Sequence, residues 1–571
     1  MRVTFVHTPN RAFVDTQLFG IHLMPVWAYS LAAHVATLPD VEMTLVDDRF
    51  DRLDATPAAD VFCLSGLNQD HDALVAAHRA LKARFPSARF LLGGPICWSY
   101  HTAGRIDALA MFDHVVVGDG EEALPALLRA IRDGASASPV IVVPERFPLG
   151  RARPMHQGLL AATMHRYYGA VLEVSRGCPF LCEFCDIRVL PDNNRAHVKD
   201  PALVVAELDA LYDLGARQVL FACDNFIGDV RWAERLCDAI IDWQVRTGKS
   251  VSGYTWLTVN LARHPALMQK LRRAGFDLLF IGVESFNRSS LLETAKVQNS
   301  AVHLVEALQA IQSRGFVIVP GLIFGFDTDP DDVTDLTLQG ILDSGLIAGD
   351  PSLLTALPGT PLYQRMQRTG RLRDTKLGLG GFKYQTNIRY LKPAGRVRAE
   401  FLDFVRRLND GACQVARLER FYDLVASEHF VPRRAAGYVD LGRLVGMIFA
   451  NLRATRLLLR RIGRLVRSPS RVVQLGRALA LTARRTSPDR PLWPYFQLWL
   501  INWSNTLIKY ASLTDADFDV ASVREEFSVG DLVPDRYEEE HEEQIPTPKI
   551  RAQRRVTASA LRSFGRVAAA R

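Results

Sequence analysis

Short apolar runs alternate with amphipathic stretches through the first quarter of this sequence. Five runs have the length and composition of buried strands: Arg2–His7, Met43–Asp47, Val61–Ser65, Phe90–Gly93 and His114–Val117. Apolar residues at helical spacing fall between them, as in Asp72–Arg84 and Glu121–Ile131. Strands that alternate with helices at this spacing predict a parallel, doubly wound sheet. We therefore expect an N-terminal α/β domain over residues 1–143.

A second strand–helix series occupies residues 169–365, after a polar stretch over residues 144–168 that predicts a linker. Its predicted strands are Gly169–Val174, Gln218–Ala222, Tyr254–Val259, Leu278–Gly282, Phe316–Ile323 and Ser352–Ala356. Six strand–helix units predict a partial (β/α)6 barrel. The chemistry of such a barrel lies at the carboxyl ends of its strands.

The pattern becomes mainly helical beyond the barrel, so residues 366–525 predict a helical C-terminal domain, and the charged residues 526–571 predict a disordered tail. Arginines recur at helical spacing beside apolar residues: Arg453, Arg456, Arg460, Arg464 and Arg467 beside Leu452, Leu459 and Val466. This pattern fits a helical cap with its arginines in solvent, and it also fits contact with anionic lipid. Trp493, Trp499 and Trp503 follow in an apolar segment and favour an apolar substrate.

The composition limits the cellular context. A formal net charge of +7 is modest for 571 residues, and the basic stretch lacks the interleaved aromatics of a base-stacking surface. We therefore expect no nucleic-acid partner. The first residues read as a strand, and no apolar run reaches the roughly 18 residues of a membrane span. These features predict a cytoplasmic protein, with peripheral membrane contact left open.

Three of the eight cysteines lie within eight residues, in Ser175-Arg-Gly-Cys178-Pro-Phe-Leu-Cys182-Glu-Phe184-Cys185. Thiolates are the preferred ligands of iron–sulfur clusters and of zinc. Three thiolates at this spacing can bind three irons of a [4Fe–4S] cubane and leave the fourth iron open to a small molecule. The alternative is zinc, completed by Cys223, His197 or another distant residue. Structural zinc sites usually combine two cysteine or histidine knuckles, and this sequence has no second one.

The CxxxCxxC spacing, with the aromatic Phe184 before its last cysteine, resembles the signature of the radical S-adenosylmethionine (SAM) superfamily. The resemblance implies that Cys178, Cys182 and Cys185 bind a [4Fe–4S] cluster. SAM would then chelate the open iron and be cleaved to a 5′-deoxyadenosyl radical, with electrons from a donor such as a flavodoxin or ferredoxin. The residues that it assigns to the SAM site are Phe184, Asp224, Asn225, Asn260 and Glu284. Cys223 stands where related sequences carry a second acid, which leaves the role of that position open.

The N-terminal domain resembles the cobalamin-binding class of this superfamily. The turns that carry the resemblance are Ser65-Gly66-Leu-Asn-Gln69, Gly93-Gly94-Pro95 and Gly118-Asp-Gly120-Glu121. It implies that Ser65, Gly66, Gln69, Gly93, Gly94, Gly118 and Gly120 contact cobalamin. The Asp-x-His-x-x-Gly signature of mutase-type cobalamin domains is absent. The resemblance therefore implies that the cobalt has no histidine as its lower axial ligand. Taken without the resemblance, the glycines fit tight turns equally well.

Three further segments narrow the resemblance: Arg176-Gly-Cys-Pro-Phe, Asp224-Asn-Phe-Ile-Gly228 and Ala356-Leu-Pro-Gly-Thr-Pro-Leu-Tyr363. They are similar to hopanoid methylases and archaeal lipid-cyclising enzymes, which also have a helical C-terminal domain. The resemblance implies transfer of a methyl group from methylcobalamin to an unactivated carbon of a lipid or another natural product. The alternative is radical carbon–carbon bond formation or rearrangement, such as cyclisation, without methyl transfer. The sequence does not separate these two reactions.

Overall fold

In the computed structural model, the described residues are 1–10, 23–190, 192–300, 303–373, 384–432, 442, 445–446, 452–510, 513–514 and 517–523. The predicted tail over residues 526–571 lies outside them. The described chain forms two parallel α/β units followed by a mainly helical region, as the pattern of apolar residues predicts.

The N-terminal unit is a parallel sheet of six strands in the described residues, in the order β2-β1-β3-β4-β5-β6. The strands are β1 (Arg2–His7), β2 (Glu42–Asp47), β3 (Val61–Ser65), β4 (Arg89–Gly93), β5 (His114–Val117) and β6 (Val140–Val142). The first five match the predicted strands within one residue. The sequence prediction missed β6, a three-residue edge strand that is half-exposed along its length.

Four helices accompany this sheet within the described residues: α1 (Val26–Val35), α2 (His71–Arg84), α3 (Pro95–Thr102) and α4 (Gly120–Arg132). The strand order reverses at β1 and β3, where connections run to opposite sides of the sheet. In doubly wound folds, ligands bind outside the carboxyl ends of the strands at this reversal. The loops after β1, β3, β4 and β5 therefore define the edge where a ligand of this domain is expected.

Residues 144–168, the predicted linker, include many exposed positions, but part of the segment packs on the core. This segment contains the short helix α5 (Gln157–Thr163), and it buries Met155, Leu160 and Tyr167 in the core shared with β1 and β7. The hydroxyl of Tyr167 also donates to the carboxylate of Asp47 at the end of β2 (2.9 Å). Its apolar residues are spread among prolines and arginines, so they do not form a pattern that predicts burial.

The second unit is an open barrel, whose sheet in the described chain has the order β14-β13-β12-β11-β10-β7. Its strands are β7 (Gly169–Glu173), β10 (Gln218–Ala222), β11 (Ser252–Leu257), β12 (Phe276–Glu284), β13 (Val317–Phe324) and β14 (Asp350–Leu353). A small antiparallel pair, β8 (Ser175–Arg176) and β9 (His197–Val198), lies between β7 and the first barrel helix. The partial (β/α)6 barrel is thus confirmed, although β14 begins two residues before the predicted strand.

The helices of the barrel follow its strands and cover its outer face. They are α6 (Pro201–Asp213), α7 (Val230–Thr247), α8 (Pro265–Arg273), α9 (Arg288–Glu293), α10 (Val297–Ser300), α11 (Leu304–Gln312), α12 (Val333–Ser344) and α13 (Pro361–Arg368). Asp200 caps α6 by accepting a hydrogen bond from the Ala202 amide (2.8 Å), and proline occupies the first helical position.

The C-terminal region is mainly helical, as predicted. It contains α14 (Ala394–Leu408), α15 (Gly411–Val425), α16 (Leu452–Val466), α17 (Pro469–Arg485), α18 (Trp493–Tyr510) and, over the described residues, a short parallel pair of β15 (Gln385–Tyr390) with β16 (Asp519–Ser522). Trp499 and Trp503 are fully buried, and their indole N–H groups donate to the carbonyls of Gln414 and Asn409 (3.0 and 3.2 Å). These two tryptophans therefore form the core of a helical cap. In the part of the chain that the structure describes, no helix combines the length and apolar character needed to span a bilayer.

Candidate active site

The cysteine loop leaves the barrel directly after β7 and is closed at its base by the pairing of β8 with β9. Gly177 begins the loop with a left-handed backbone (φ +93°), and a Cβ placed there would lie 2.0 Å from the carbonyl oxygen of Arg195. Only glycine fits this position without moving the backbone. The Cys178 amide then donates to the Asn193 carbonyl (2.9 Å). These contacts fix where Cys178 leaves the sheet.

The cysteine side chains are buried or half-buried at the carboxyl end of the barrel. Burial raises the pKa of the Cys178 thiol to about 12, so a bound metal would have to supply the attraction that keeps it as a thiolate. Over the described residues, no three His, Cys, Asp or Glu side chains converge closely enough to hold a single ion. A four-iron cubane does not require such convergence, because each cysteine binds a different iron.

His197 and Cys223, the residues named as further zinc ligands, contact other groups of the protein. The Nε2 atom of His197 lies 2.6 Å from the Asp192 carbonyl oxygen. The sulfur of Cys223 lies 3.3 Å from the Thr255 hydroxyl and 3.4 Å from the Trp256 carbonyl, and burial raises the pKa of this thiol to about 12. Cys223 therefore has the surroundings of an inert core thiol. The donor set of the loop fits an iron–sulfur cluster better than zinc.

Asp224 and Asn225 follow β10 and reach the cysteine loop from the neighbouring strand. The Gly177 amide donates to Oδ2 of Asp224 (2.6 Å), and Nδ2 of Asn225 lies 3.8 Å from the sulfur of Cys178. Asn225 is buried and Asp224 is half-buried; desolvation raises the pKa of the Asp224 carboxyl. The structure thus brings together these two predicted residues and the first predicted cluster ligand.

Glu284 lies at the end of β12 in a strained backbone. Its φ is +63°, and the pairing register with β13 shifts between Gly282 and Glu284. The carboxylate folds back over Gly282, where an added Cβ would meet Oε1 of Glu284 at 2.2 Å. Non-glycine residues adopt this backbone rarely, and such strain is concentrated at functional sites. The bulge directs the carboxylate of Glu284 into the barrel.

Lys296 is a site residue that no sequence motif indicated. It is buried, and its ammonium donates to Oε1 of Glu284 (2.7 Å) and lies 5.7 Å from the ring centre of Phe184. Burial acts to lower the pKa of Lys296, but the charges of Glu284 and Cys182 outweigh it and raise the pKa. Lys296 therefore carries a positive charge that links Glu284, Phe184 and the cysteine loop.

Gln298 is a second residue that the sequence did not reveal. Its Nε2 lies 3.4 Å from the sulfur of Cys182, while its Oε1 is buried without a hydrogen-bond partner in the structure. Asn260, by contrast, makes a local contact: its Oδ1 accepts a hydrogen bond from Thr258 just after β11. It lies at the carboxyl end of the same sheet, but its recorded hydrogen bond does not join it to the other predicted residues.

The N-terminal sheet presents its predicted glycines at its own carboxyl edge. Gly94 has a φ of +88°, and a Cβ there would lie 2.5 Å from the Ser65 hydroxyl and 3.0 Å from the Gly66 amide nitrogen. Gly94 therefore allows the loop after β4 to lie close to the loop after β3. A Cβ at Gly93 would meet nothing within 4 Å, so this backbone borders open space into which a ligand could fit.

Asp70 joins the loops that follow β1 and β3. Its buried carboxylate accepts hydrogen bonds from the amides of Leu67 and Asn10 (2.9 Å each), and Nδ2 of Asn10 donates to the Gln69 carbonyl (2.8 Å). Nδ1 of His7, at the end of β1, and Oδ1 of Asn68 are buried without hydrogen-bond partners in the structure. Unsatisfied polar atoms at the strand-order reversal fit a site that a polar ligand completes.

Gly118 and Gly120 both lie close to other parts of the chain. At Gly118 the φ is +124°, and a Cβ would lie 2.6 Å from the Val143 carbonyl; at Gly120 it would lie 3.2 Å from the Leu31 side chain. Both glycines face atoms of the protein, so packing accounts for them. The cobalamin contacts expected for them, as for Ser65, Gly66, Gln69, Gly93 and Gly94, stay a prediction.

Charged residues join the carboxyl edge of the N-terminal sheet to the cysteine loop. Arg176, two residues before Cys178, contacts Asp119 (3.2 Å) and Glu121 after β5, and Glu173 at the end of β7 (2.8 Å). Arg146 donates to Asp119 (2.7 Å) and to Asn193 of the loop (3.1 Å). The two edges at which ligands are expected are therefore in direct contact.

Comparison with known proteins agrees with this arrangement. Residues 172–338 match the model of the Radical SAM superfamily, so the chain contains a radical SAM domain, the domain whose cofactors are a [4Fe–4S] cluster and SAM. The sequence is similar to a hopanoid C-2 methylase of Rhodopseudomonas palustris, with 33% identity over 48% of this chain and 50% of that protein. It is also similar to an uncharacterised methyltransferase of Synechocystis, with 31% identity over 56% of this chain and 58% of that protein. The chain thus spans about half the length of these relatives.

The fold is similar to that of OxsB, a cobalamin-dependent SAM radical enzyme solved with aqua-cobalamin and SAM bound. The TM-score is 0.57 at 13% identity, and the match covers 98% of this chain and 83% of OxsB. The predicted resemblance to the cobalamin-binding class of radical SAM enzymes is confirmed for the fold.

Proposed function

We propose that this protein is a cobalamin-dependent radical SAM methyltransferase that acts on an unactivated carbon of a lipid. The observation that carries the proposal is the contact between the two ligand-binding edges, made through Arg176 with Asp119 and Glu121. A methyl transfer that uses two cofactors needs both within reach of one substrate carbon. The cysteine loop lies at one of these edges and the open backbone at Gly93 at the other, as this requirement demands.

When bound, the cluster with SAM supplies a radical that removes a hydrogen atom from the substrate, and cobalamin carries the methyl group. In this proposal Cys178, Cys182 and Cys185 bind three irons. Asp224, oriented by the Gly177 amide, accepts hydrogen bonds from the SAM ammonium group, and Lys296 offers its charge to the SAM carboxylate. The buried or half-buried position of these groups limits their contact with water and strengthens their electrostatic interactions.

The hopanoid C-2 methylase among the relatives supports a lipid as the substrate class. A low-potential donor such as a flavodoxin or ferredoxin would reduce the cluster, and peripheral membrane contact would bring the enzyme to a lipid. Specificity would reside in the helical cap and in the groove between the N-terminal sheet and the barrel.

The first experiment is an anaerobic titration of the reconstituted protein with hydroxocobalamin, followed by absorbance. It is run beside a triple variant, Cys178→Ala, Cys182→Ala and Cys185→Ala. We expect near-stoichiometric binding in both proteins, because the proposed cobalamin site lies on the N-terminal sheet. A folded, cluster-loaded protein that fails to bind cobalamin would contradict the proposal.

A second measurement separates methylation from the cyclisation alternative. The loaded enzyme is incubated with a low-potential reductant and SAM labelled in its methyl group. We expect both S-adenosylhomocysteine and 5′-deoxyadenosine, with the label recovered on cobalamin by mass spectrometry. Formation of 5′-deoxyadenosine without transfer of the label would favour cyclisation or rearrangement. The triple cysteine variant should form no 5′-deoxyadenosine.

A further inference from the structure

The outer face of α16 carries an apolar stripe beside a basic stripe. Leu459, Ile462 and Val466 are 62%, 47% and 55% exposed, and their spacing of three and four residues places them along one line of the helix. Arg456, Arg460 and Arg467 are also exposed and lie along the adjacent line. The opposite side of α16 packs inward, where Arg461 donates to Asn505 of α18 (3.1 Å) and Leu465 is buried.

The next helix, α17, repeats this composition. Its exposed residues are apolar, small or basic, and they include Val472, Val473, Gly476, Arg477, Leu479, Ala480, Ala483 and Arg484. Its other side packs on α15, where the hydroxyls of Thr482 and Tyr422 are 2.8 Å apart. The apolar residues on the outer face are therefore not needed for the core of the cap.

The charge of this segment has one sign. The 48 residues from Leu441 to Pro488 contain eleven arginines and neither aspartate nor glutamate. Among the described residues, Arg456, Arg460 and Arg467 have no recorded ion pair, whereas Arg485 at the end of α17 pairs with Asp423 of α15. A solvated face that served only for solubility would carry both signs of charge.

We propose that the outer faces of α16 and α17 dock on the surface of a bilayer that contains anionic lipid. A helix that lies in a membrane interface places apolar side chains among the acyl chains and arginines beside the lipid phosphates. The exposed stripes of α16 have this arrangement, and the absence of acidic residues from Leu441 to Pro488 removes the repulsion that such a surface would otherwise exert. Docking would place the helical cap, which borders the barrel, at the source of a lipid substrate. Only this last consequence rests on the proposed function.

The test uses full-length protein and co-sedimentation with two kinds of vesicle, phosphatidylcholine alone and an equal mixture with phosphatidylglycerol. The charge variant combines Arg456→Glu, Arg460→Glu and Arg467→Glu. The matched control, Arg79→Glu with Arg231→Glu and Arg246→Glu, makes the same change of charge at exposed positions of α2 and α7. We expect tight binding to the mixed vesicles only, with a loss on the order of a hundredfold in the charge variant. The control should lose far less.

A second variant tests the apolar stripe: Leu459→Gln, Ile462→Gln and Val466→Gln. Its control replaces the exposed Met111, Val142 and Val245 with glutamine. We expect about tenfold weaker vesicle binding in the first set and little change in the second, because only the first set would enter the acyl region. Glutamine is a good helix former, and these side chains are exposed, so the thermal unfolding of the variant should match the wild type.

Several outcomes would overturn the proposal. One is wild-type protein that does not bind the mixed vesicles, and another is an equal loss in the charge variant and its control. Vesicle binding that the apolar variant leaves unchanged, together with tight binding to double-stranded DNA, would assign the arginines to a nucleic acid. A wild-type dimer that the apolar variant converts to a monomer would assign the stripe to a second copy of the chain. Vesicle binding needs neither cofactors nor turnover, so its failure would not touch the proposed methyl transfer.

Discussion

At the scale of single residues, hydrogen bonds from side chains to the cysteine sulfurs are expected to affect the reduction potential of the bound cluster. Gln298 approaches Cys182 and Asn225 approaches Cys178, with N–S distances of 3.4 and 3.8 Å. A donor beside a ligating sulfur stabilises the added negative charge of a reduced cluster, and so raises its reduction potential. The shorter contact makes Gln298 the stronger candidate for this effect.

The first prediction concerns Gln298→Leu. This change replaces the N–H donor by an apolar side chain of similar size, so the reduction potential of the cluster should become more negative. A bond that favours the reduced state by about 1.4 kcal/mol corresponds to roughly 60 mV for one electron. The measurement is a redox titration followed by electron paramagnetic resonance. Gln309→Leu, whose amide donates to the Asp343 carbonyl on the barrel exterior, is the control. An unchanged potential in Gln298→Leu would show that the contact has no redox effect.

The second prediction concerns the buried pair of Lys296 and Glu284. Lys296→Met leaves Glu284 buried without its cation, which should lower the free energy of unfolding by about 3 kcal/mol. It should also weaken SAM binding. Adding Glu284→Gln should restore most of the stability but not the SAM affinity. Thermal unfolding and equilibrium dialysis with SAM measure the two effects.

The control for this pair is Lys199→Met. Lys199, directly after β9, forms a comparable buried pair with Glu207 of α6 (2.9 Å) and serves as a buried lysine that does not pair with Glu284. Its loss should cost similar stability and leave SAM affinity intact. Equal loss of SAM affinity in both lysine variants would mean that Lys296 acts through folding and not through SAM.

At the scale of elements, the cysteine loop is held from outside by α13. Arg365 in α13 makes two hydrogen bonds to the Glu183 carboxylate, with Nε–Oε1 and Nη2–Oε2 distances of 2.8 and 2.9 Å. Glu183 lies between Cys182 and Cys185, and its amide donates to the Thr294 carbonyl (2.9 Å) after α9. Two elements outside the loop therefore fix the position of its second half.

The third prediction follows from this clamp. Arg365→Lys keeps the charge but cannot form the paired hydrogen bonds, so the loop should hold its cluster less tightly. We expect loss of the cluster to an iron chelator to be about tenfold faster, in line with the loss of one charge-assisted hydrogen bond. The decay of the iron–sulfur absorbance measures it. Arg371→Lys, which loses a similar pair with Asp327, is the control. Equal rates in the two variants would argue against a specific clamp on the loop.

The elements that sequence predicted best are those with continuous apolar runs. Valine- and leucine-rich strands such as β3 and β13 agree with the predicted bounds within one residue at each end. The cysteine loop and the polar residues after β10 were predicted because they carry a motif. Lys296, between α9 and α10, and Gln298, in α10, were not predicted, because they carry no motif and reach the site only through the fold. The buried residues within the predicted linker over residues 144–168 were not foreseen, because its apolar residues lack a regular period.

At the scale of the whole molecule, the N-terminal sheet and the barrel meet through a network of buried charges. Arg176 and Arg146 contribute two positive charges, and Asp119, Glu121 and Glu173 contribute three carboxylates. Buried pairs of this kind specify geometry more reliably than they add stability. We infer that this network sets the distance between the proposed cobalamin site and the cysteine loop.

The last prediction tests that inference by changing the N-terminal side of the network. Asp119→Asn with Glu121→Gln removes two carboxylates and leaves the cysteine loop untouched, so the iron content should equal that of the wild type. The distance between the proposed cobalamin site and the cysteine loop should then no longer be fixed. Label transfer from SAM to product should fall at least tenfold while 5′-deoxyadenosine still forms, because a small displacement is enough to abolish a transfer between prearranged partners.

Asp51→Asn is the matched control for this double variant. Asp51 also joins the N-terminal unit to the chain before the barrel, through Arg166 (2.8 Å), but it lies in the loop after β2 and not in the network around Arg176. Its loss should lower stability without uncoupling the two products of SAM. If the double variant and Asp51→Asn change the ratio of methylated product to 5′-deoxyadenosine equally, the network acts as a general support between domains. If only the double variant does, the distance between the two edges controls methyl transfer.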